Sequence, residues 1–151
     1  MYYSALFSLS GIGILGWALL IFFPKWARTK WVARSAVFPI YLSALYLAGV
    51  IPLLVSAGPG IVVKFGTSTG VISLLSDADV ALIAWIHILV FDQFVGLLIY
   101  RDNMRERLMP VALQSVILFV TLMFGPAGFL LYYLIRVARK RGPFVGGTSE
   151  A

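Results

Sequence analysis

Four long apolar runs, separated by short polar segments, dominate the pattern along the chain. They cover residues 1–24, 35–63, 80–100 and 108–135, and among them only the third contains a charged residue. About 20 apolar residues cross the hydrocarbon core as a helix, and lipid cannot satisfy an exposed backbone. The pattern therefore predicts an all-α, polytopic membrane protein. The predicted transmembrane helices lie near residues 3–23, 36–55, 80–100 and 111–133, in a single domain over residues 1–141 with a disordered tail over residues 142–151.

Proline and glycine mark places where this helical pattern is interrupted. Pro39 and Pro52 fall inside the second predicted helix, which is therefore expected to be bent or shorter than its apolar run. The sequence Phe-Gly-Pro-Ala-Gly at 124–128 predicts that the fourth helix is broken at its Gly-Pro pair. The glycine-rich segment 58–70 predicts the one substantial loop, with residues 71–75 at the membrane interface.

Composition agrees with lipid as the solvent. Apolar residues make up 61% of the chain and charged residues 12%, about half the charged share of a soluble domain. The net charge of +6 does not indicate nucleic-acid binding, because nearly all basic residues flank apolar runs. The first run is longer than the apolar part of a signal peptide and is interpreted as a retained span.

The distribution of Lys and Arg predicts an orientation. Segment 25–34 holds four basic residues and segment 101–107 holds three, whereas the long middle loop holds only Lys64. Both basic segments are therefore predicted to lie in the cytoplasm, with the N-terminus and the long loop outside. Because the start of the sequence shows no transit-peptide pattern, the predicted location is the inner membrane of a bacterium. A fourth helix that crosses in one pass would leave the basic residues of segment 136–141 outside, whereas a re-entrant fourth helix would return them. Four full spans are preferred because the run is long enough, and the conflict stays open.

Three polar residues inside the third helix are the candidate chemistry: His87, Asp92 and Gln93. An aspartate near the centre of a membrane helix costs roughly 2.5–3.5 kcal/mol, and such residues usually face the protein interior and carry function. His87 and Asp92 are separated by about 140° of rotation and about 7.5 Å of rise, so they cannot pair within one helix. The alternative is structural: Asp92 would be a neutral acid hydrogen-bonded to Gln114 or Ser115 of the fourth helix.

Polar residues also mark the two ends of the third helix. Ser76 and Asp79 resemble a capping box at its start. Segment 101–107 is predicted to be a solvated loop at the membrane surface. Its functional alternative is an anchor for a lipid headgroup or for the polar end of a substrate, through Arg101 and Arg105.

One histidine and no cysteine argue against a metal site within the chain. Phosphate-binding loops and nucleophile elbows are also missing from the sequence, so no cofactor is predicted.

The third and fourth helices carry motifs that resemble a known family. The motifs are Trp85-Ile86-His87-Ile88-Leu89, Phe91-Asp92-Gln93-Phe94-Val95-Gly96, Arg101-Asp102 and Phe124-Gly125-Pro126-Ala127-Gly128 with a following Tyr and Arg. Over roughly residues 77–136 the chain resembles the "abscisic acid deficient four" family. That family contains a plant plastid protein associated with neoxanthin synthesis, and bacterial relatives mostly of unknown function.

The resemblance implies a cofactor-free isomerisation that converts the 5,6-epoxide end group of a xanthophyll into an allene and a tertiary alcohol. On this hypothesis Asp92 is the acid at the epoxide oxygen and His87 is the base, or the reverse. The remaining candidate substrate contacts are the aromatic residues Trp85, Phe91 and Phe94 around the polyene, together with Gly96, Gln93 and Gln114.

The expected partners are membrane lipid, a polyene or isoprenoid ligand and a second copy of the chain. Two other functions stay open: a carrier or assembly subunit that binds a carotenoid or quinone unchanged, and an oligomeric transporter in which Asp92 titrates.

Overall fold

The computed structural model describes residues 1–140, which are helical almost throughout and contain no strand. In chain order the helices are α1 (Tyr2–Ser10), α2 (Gly13–Phe22), α3 (Ala27–Ser35), α4 (Val37–Ala57), α5 (Gly60–Lys64), α6 (Ser68–Leu75), α7 (Ala78–Glu106) and α8 (Val111–Lys140). Four helical segments are long and apolar enough to cross a membrane: Tyr2–Phe22, Val37–Ala57, Ala78–Glu106 and Val111–Arg139. The all-α membrane class and its four helices are thus confirmed, and the predicted tail lies outside the described residues.

The chain divides into two compact units, which are described separately. Unit 1 comprises residues 1–15 and 37–91, and unit 2 comprises residues 16–36 and the chain from residue 92 onward. The single domain expected from the sequence stays a prediction.

In unit 1, α1 packs beside α4. The hydroxyl of Tyr2 donates to the carbonyl of Ala48 at 2.8 Å, and that of Tyr41 donates to the carbonyl of Leu9 at 3.0 Å. The first span is not one continuous helix, because a turn at residues 11–12 separates α1 from α2. The sequence pattern does not predict that interruption.

The second span is shorter than its apolar run, as predicted, although α4 continues through Pro52. Helix α4 ends at Ala57, Gly58 follows with a φ of +66°, and Pro59 cannot continue the helix. The segment predicted as one loop instead contains the short helices α5 and α6. The proposed interfacial residues 71–75 lie within α6.

The start of α7 differs from the predicted capping box. Asp77 caps the helix, since its Oδ1 accepts hydrogen bonds from the backbone N–H groups of Asp79 and Val80, both at 3.0 Å. Ser76 instead donates to the carbonyl of Ile72. The expectation that Ser76 caps this helix is wrong, because Asp77 supplies the acceptor one residue closer.

The prediction of a solvated loop from residue 101 is also wrong. Helix α7 continues to Glu106, and the backbone turns at Arg107 with a φ of +52°. The buried side chain of Asn103 secures this turn: its Oδ1 accepts from the N–H of Met109, and its Nδ2 donates to Oε1 of Gln114 at 2.7 Å. Hydrogen bonding thus fixes the entry into α8.

Helix α8 folds back on itself at Phe124, whose torsions (φ −141°, ψ 48°) are not helical. Gln114, before the bend, bonds Asn103, whereas Tyr132, after the bend, bonds the adjacent Asp102. In a straight helix Gln114 and Tyr132 would lie about 27 Å apart, too far for both to reach neighbouring residues. The prediction of a break at the Gly-Pro pair itself stays untested, since the non-helical residue directly precedes Gly125.

The two halves of α8 touch close to the bend. A Cβ placed on Gly128 would lie 2.6 Å from the backbone nitrogen and Cα of Thr121, so only glycine allows this approach. Residues 111–123 and 125–140 are about 20 and 24 Å long, shorter than the roughly 30 Å hydrocarbon core. This bend is the geometry that the re-entrant alternative requires. It returns Arg136 to the same end of unit 2 as Asp102.

The loop after the first span holds another helix that the pattern did not predict. Helix α3 ends at Ser35, and Ala36 follows with a φ of +52°. The guanidinium of Arg101 donates to the carbonyl oxygens of Ala33 and Arg34, and the hydroxyl of Tyr100 donates to the carbonyl of Pro24 at 2.6 Å. These bonds fix the basic segment against the end of α7.

Candidate functional site

His87 lies on the wall of an apolar cavity in unit 1. The cavity has a volume of about 310 Å³. The imidazole of His87 lies 5.1 Å from the ring of Tyr46 and 4.8 Å from the ring of Phe91, measured between ring centroids. Because His87 is itself exposed, the imidazole marks the rim of the cavity. The predicted histidine is therefore placed where a ligand could reach it.

Helices α4, α5, α6 and α7 build this cavity. Apart from His87 and Tyr46, its lining is entirely apolar: Val50, Leu53, Leu54, Ile61, Phe65, Val71, Leu74, Leu75, Val80, Ile83 and Ala84. An apolar chamber with a few polar groups on its wall is typical of small-molecule sites. Tyr46 was not predicted as a site residue, because it lies 41 positions from His87 and follows no motif.

The aromatic residues predicted to line a polyene slot lie on the outside of α7. Trp85, Phe91 and Phe94 are 50%, 56% and 55% exposed, and none of them lines the cavity beside His87. Phe91 contacts the imidazole. That these three residues surround a polyene stays a prediction.

Asp92, the predicted acid, lies in unit 2 at the bend of α8. It is half-buried, and a Cβ added to Gly125 would collide with its carboxylate. At the bend, the backbone carbonyl of Leu122 lacks its usual helical hydrogen-bond donor, because Pro126 has no backbone N–H. A carboxyl group here can donate to the bent backbone as a neutral acid or act on a ligand that reaches the bend.

Of the two partners expected for Asp92 under the structural alternative, Ser115 and the Oε1 of Gln114 bond other groups, whereas the Nε2 of Gln114 has no hydrogen-bond partner within residues 1–140. The Oε1 of Gln114 accepts from Asn103, and the hydroxyl of Ser115 donates to the carbonyl of Ile21 at 2.7 Å. Gln114 is fully buried, and its contact with a substrate stays a prediction. The side-chain amide of Gln114 stabilises the connection between α7 and α8 through its hydrogen bond with Asn103.

Two further predicted substrate contacts belong to the packed interior of unit 2. Gly96 lies under the indole of Trp17, and a Cβ there would approach the ring carbon Cη2 to 2.5 Å. Because Trp17 is 2% exposed, this indole fills the space expected for a ligand. Gln93 is 1% exposed, and its Oε1 accepts no hydrogen bond from the side chains and backbone within residues 1–140.

The predicted surface anchors are both at the end of α7. Arg101 is held by the carbonyl groups of the α3 segment, and Arg105 pairs with Glu106 at 2.8 Å. Both line a second, larger cavity in unit 2.

The sequence did not reveal the buried polar cluster around Asp102. Its carboxylate accepts from the hydroxyl of Tyr132 at 2.5 Å and from Nε of Arg136 at 2.8 Å. Arg136 is 4% exposed and Tyr132 is fully buried. Charged residues within apolar helices can indicate such a cluster. Asp102 and Arg136 lie 34 positions apart on different helices, however, so the sequence does not show that they pair.

The residues that the structure describes contain no group of three histidine or acidic side chains that could hold a metal ion.

Comparison with known proteins identifies the family. The model of the family described as ABA DEFICIENT 4-like matches residues 5–132. No curated protein and no solved structure matches the chain. The match covers most of the chain, including the cavity beside His87 and the bend beside Asp92. The chain belongs to the ABA DEFICIENT 4-like family.

Proposed function

We propose that this membrane protein acts on the cyclic end group of a carotenoid or a related isoprenoid, bound in the cavity beside His87. The observation that carries the proposal is the lining of that cavity, in which an imidazole and a phenol are the polar side chains on an otherwise apolar wall. Family membership supports the same class of ligand.

The size of the cavity suits part of such a molecule. A volume of about 310 Å³ is at the lower end for small-molecule sites. It accommodates one cyclic end group, while the rest of a long polyene continues into the lipid. The exposed position of His87 at the rim supports a role for its imidazole at the point where the ring of such a ligand would meet its polyene chain.

The proposed reaction is the opening of an epoxide to an allene. His87 takes a proton from the polyene carbon next to the epoxide, that carbon's electrons form the new double bond, and the carbon–oxygen bond of the epoxide breaks. The oxygen receives a proton and becomes a tertiary alcohol, so there is no net oxidation or reduction. Tyr46 is proposed as the acid because its ring lies beside that of His87. Asp92, the acid expected from the sequence, is the competing assignment.

Pigment analysis of a carotenoid-producing bacterial host tests this proposal. The protein is expressed in its full-length form, and pigments are separated by chromatography with and without it. The wild-type chain should convert an epoxy-xanthophyll into its allenic isomer. Variants His87→Gln and Tyr46→Phe should lower the rate by about 10²–10⁴-fold, the usual contribution of a general acid or base.

Controls separate chemistry from folding. Tyr41→Phe removes a phenol from the same helix as Tyr46, and its hydroxyl bonds the backbone of Leu9; this variant should keep its activity. Loss of turnover in Asp92→Asn but not in Tyr46→Phe would reassign the acid. An unchanged pigment that co-purifies with the protein would indicate a carrier, and no pigment change or binding would overturn the proposal.

A further inference from the structure

A large cavity of unit 2 is surrounded by positive charge. It has a volume of about 1080 Å³ and lies between the α3 segment, the end of α7 and both ends of α8. Three of its lining cations lie in or just before α3: Lys25, Lys30 and Arg34. This basic cavity is separate from the proposed chemistry at His87 and does not depend on it.

Helices α7 and α8 add more positive charge to the basic cavity. Arg101, Arg105 and Arg107 come from the end of α7, and Arg139 comes from the second half of α8. Among residues 1–140, no aspartate or glutamate lines it. Arg139 reaches this cavity only because α8 folds back, since a straight helix would place it about 42 Å from Val111, which also lines the cavity.

Basic residues at the ends of membrane helices commonly serve only to orient the protein. Two features go beyond that role. The cations converge on a concave space rather than on a flat surface, and Arg101 is held in place by the carbonyl groups of Ala33 and Arg34. Only Arg105 among the lining cations has an acidic partner within the described residues, Glu106. Like charges gathered in this way repel one another unless an anion lies between them.

The wall of the basic cavity also has an apolar part, formed by Tyr100, Met104, Met109, Pro110 and Val111. We infer that the basic cavity binds a phosphate group, carried either by the headgroup of an anionic lipid or by a soluble diphosphate. Lys and Arg are the side chains that bind phosphate oxygens, and the planar guanidinium does so with two parallel hydrogen bonds. The apolar wall would cover the first carbons of a lipid.

Binding measurements on the full-length protein test this inference. The protein is placed in nanodiscs of phosphatidylcholine alone or with added phosphatidylglycerol, and retained lipid is counted by native mass spectrometry. In a second arm, inorganic pyrophosphate is titrated into phosphatidylcholine nanodiscs, and tryptophan fluorescence is followed. Removing one cation near a membrane surface weakens binding about fivefold. The double variant Lys30→Gln/Arg34→Gln should therefore weaken phosphate binding about thirtyfold. High salt should weaken it further.

Arg28→Gln is the matched control, because Arg28 lies on the same helix but does not line the cavity and contacts Trp26. It should bind as the wild type does, and Lys30→Arg should retain binding. Retention of phosphatidylglycerol alone assigns the site to a lipid headgroup, and competition by pyrophosphate assigns it to a soluble ligand. The inference is overturned if neither probe binds, or if Arg28→Gln weakens binding as much as the double variant does.

Discussion

The guanidinium of Arg136 donates to the carboxylate of Asp102, with 2.8 Å between Nε and Oδ2. The two side chains are 5% and 13% exposed, so the pair is largely shielded from solvent. Asp102 lies near the end of α7, whereas Arg136 lies in the second half of α8. This ion pair, with the hydroxyl of Tyr132 on the same carboxylate, holds the returning half of α8 in place.

Removing one partner of this pair should therefore destabilise the protein. Asp102→Asn removes the negative charge that pairs with the buried Arg136 guanidinium, and breaking a buried pair in this way typically costs about 3–5 kcal/mol. The free energy of unfolding, measured by denaturant titration in detergent, should fall by that order. Arg105→Gln is the control, because Arg105 is 76% exposed in its pair with Glu106 and such pairs contribute at most about 1 kcal/mol. Equal losses in both variants would contradict this role for Asp102.

The approach of the two halves of α8 depends on a glycine. In Gly128→Ala the added methyl group meets the backbone of Thr121, which cannot move without shifting the helix. Overpacking of this kind costs about 1–3 kcal/mol, and the same unfolding measurement should detect it. Gly60→Ala is the control because a Cβ at Gly60 meets nothing within 4 Å. A Gly128→Ala protein as stable as wild type would show that the two halves are farther apart than described.

Filling the cavity beside His87 should prevent ligand binding without unfolding the protein. Ala84 lines this cavity, and in Ala84→Phe the phenyl ring would occupy much of its 310 Å³. Pigment retained on purification from a carotenoid-producing host should fall at least tenfold, while the thermal unfolding midpoint changes little. Ala78→Phe adds the same ring to an exposed position of the same helix and should keep the pigment. Undiminished retention in Ala84→Phe would place the ligand elsewhere.

The spans could be predicted from the sequence because each depends on a local property, the sum of apolar residues over about 20 positions. The histidine was found for a related reason, since a polar residue within an apolar run is conspicuous wherever it lies. Its partner Tyr46 was not, because tyrosine is ordinary in a membrane helix and only the packing of α4 and α7 brings the two rings together.

The direction that α8 takes after its bend could not be predicted from local sequence patterns. Its length and apolarity favour a single crossing, and the Phe-Gly-Pro-Ala-Gly motif predicts only that it is interrupted. The direction taken after the bend depends on the torsions of Phe124 and on contacts between distant residues, such as Tyr132 with Asp102. The basic residues near 136–141 conflict with a single crossing if Lys and Arg set the orientation, and a return of the chain is consistent with that pattern.

The return of α8 at Phe124 underlies both the buried cluster at Asp102 and the basic cavity, and one distance tests it. The natural chain has no cysteine, so Ala112→Cys with Ala138→Cys, two exposed positions on either side of the bend, can be spin-labelled without further changes. Pulsed electron paramagnetic resonance of the labelled protein in nanodiscs should give a distance below about 25 Å, given that both halves reach the same end of α7. A distance near the roughly 39 Å of a straight helix would contradict the account.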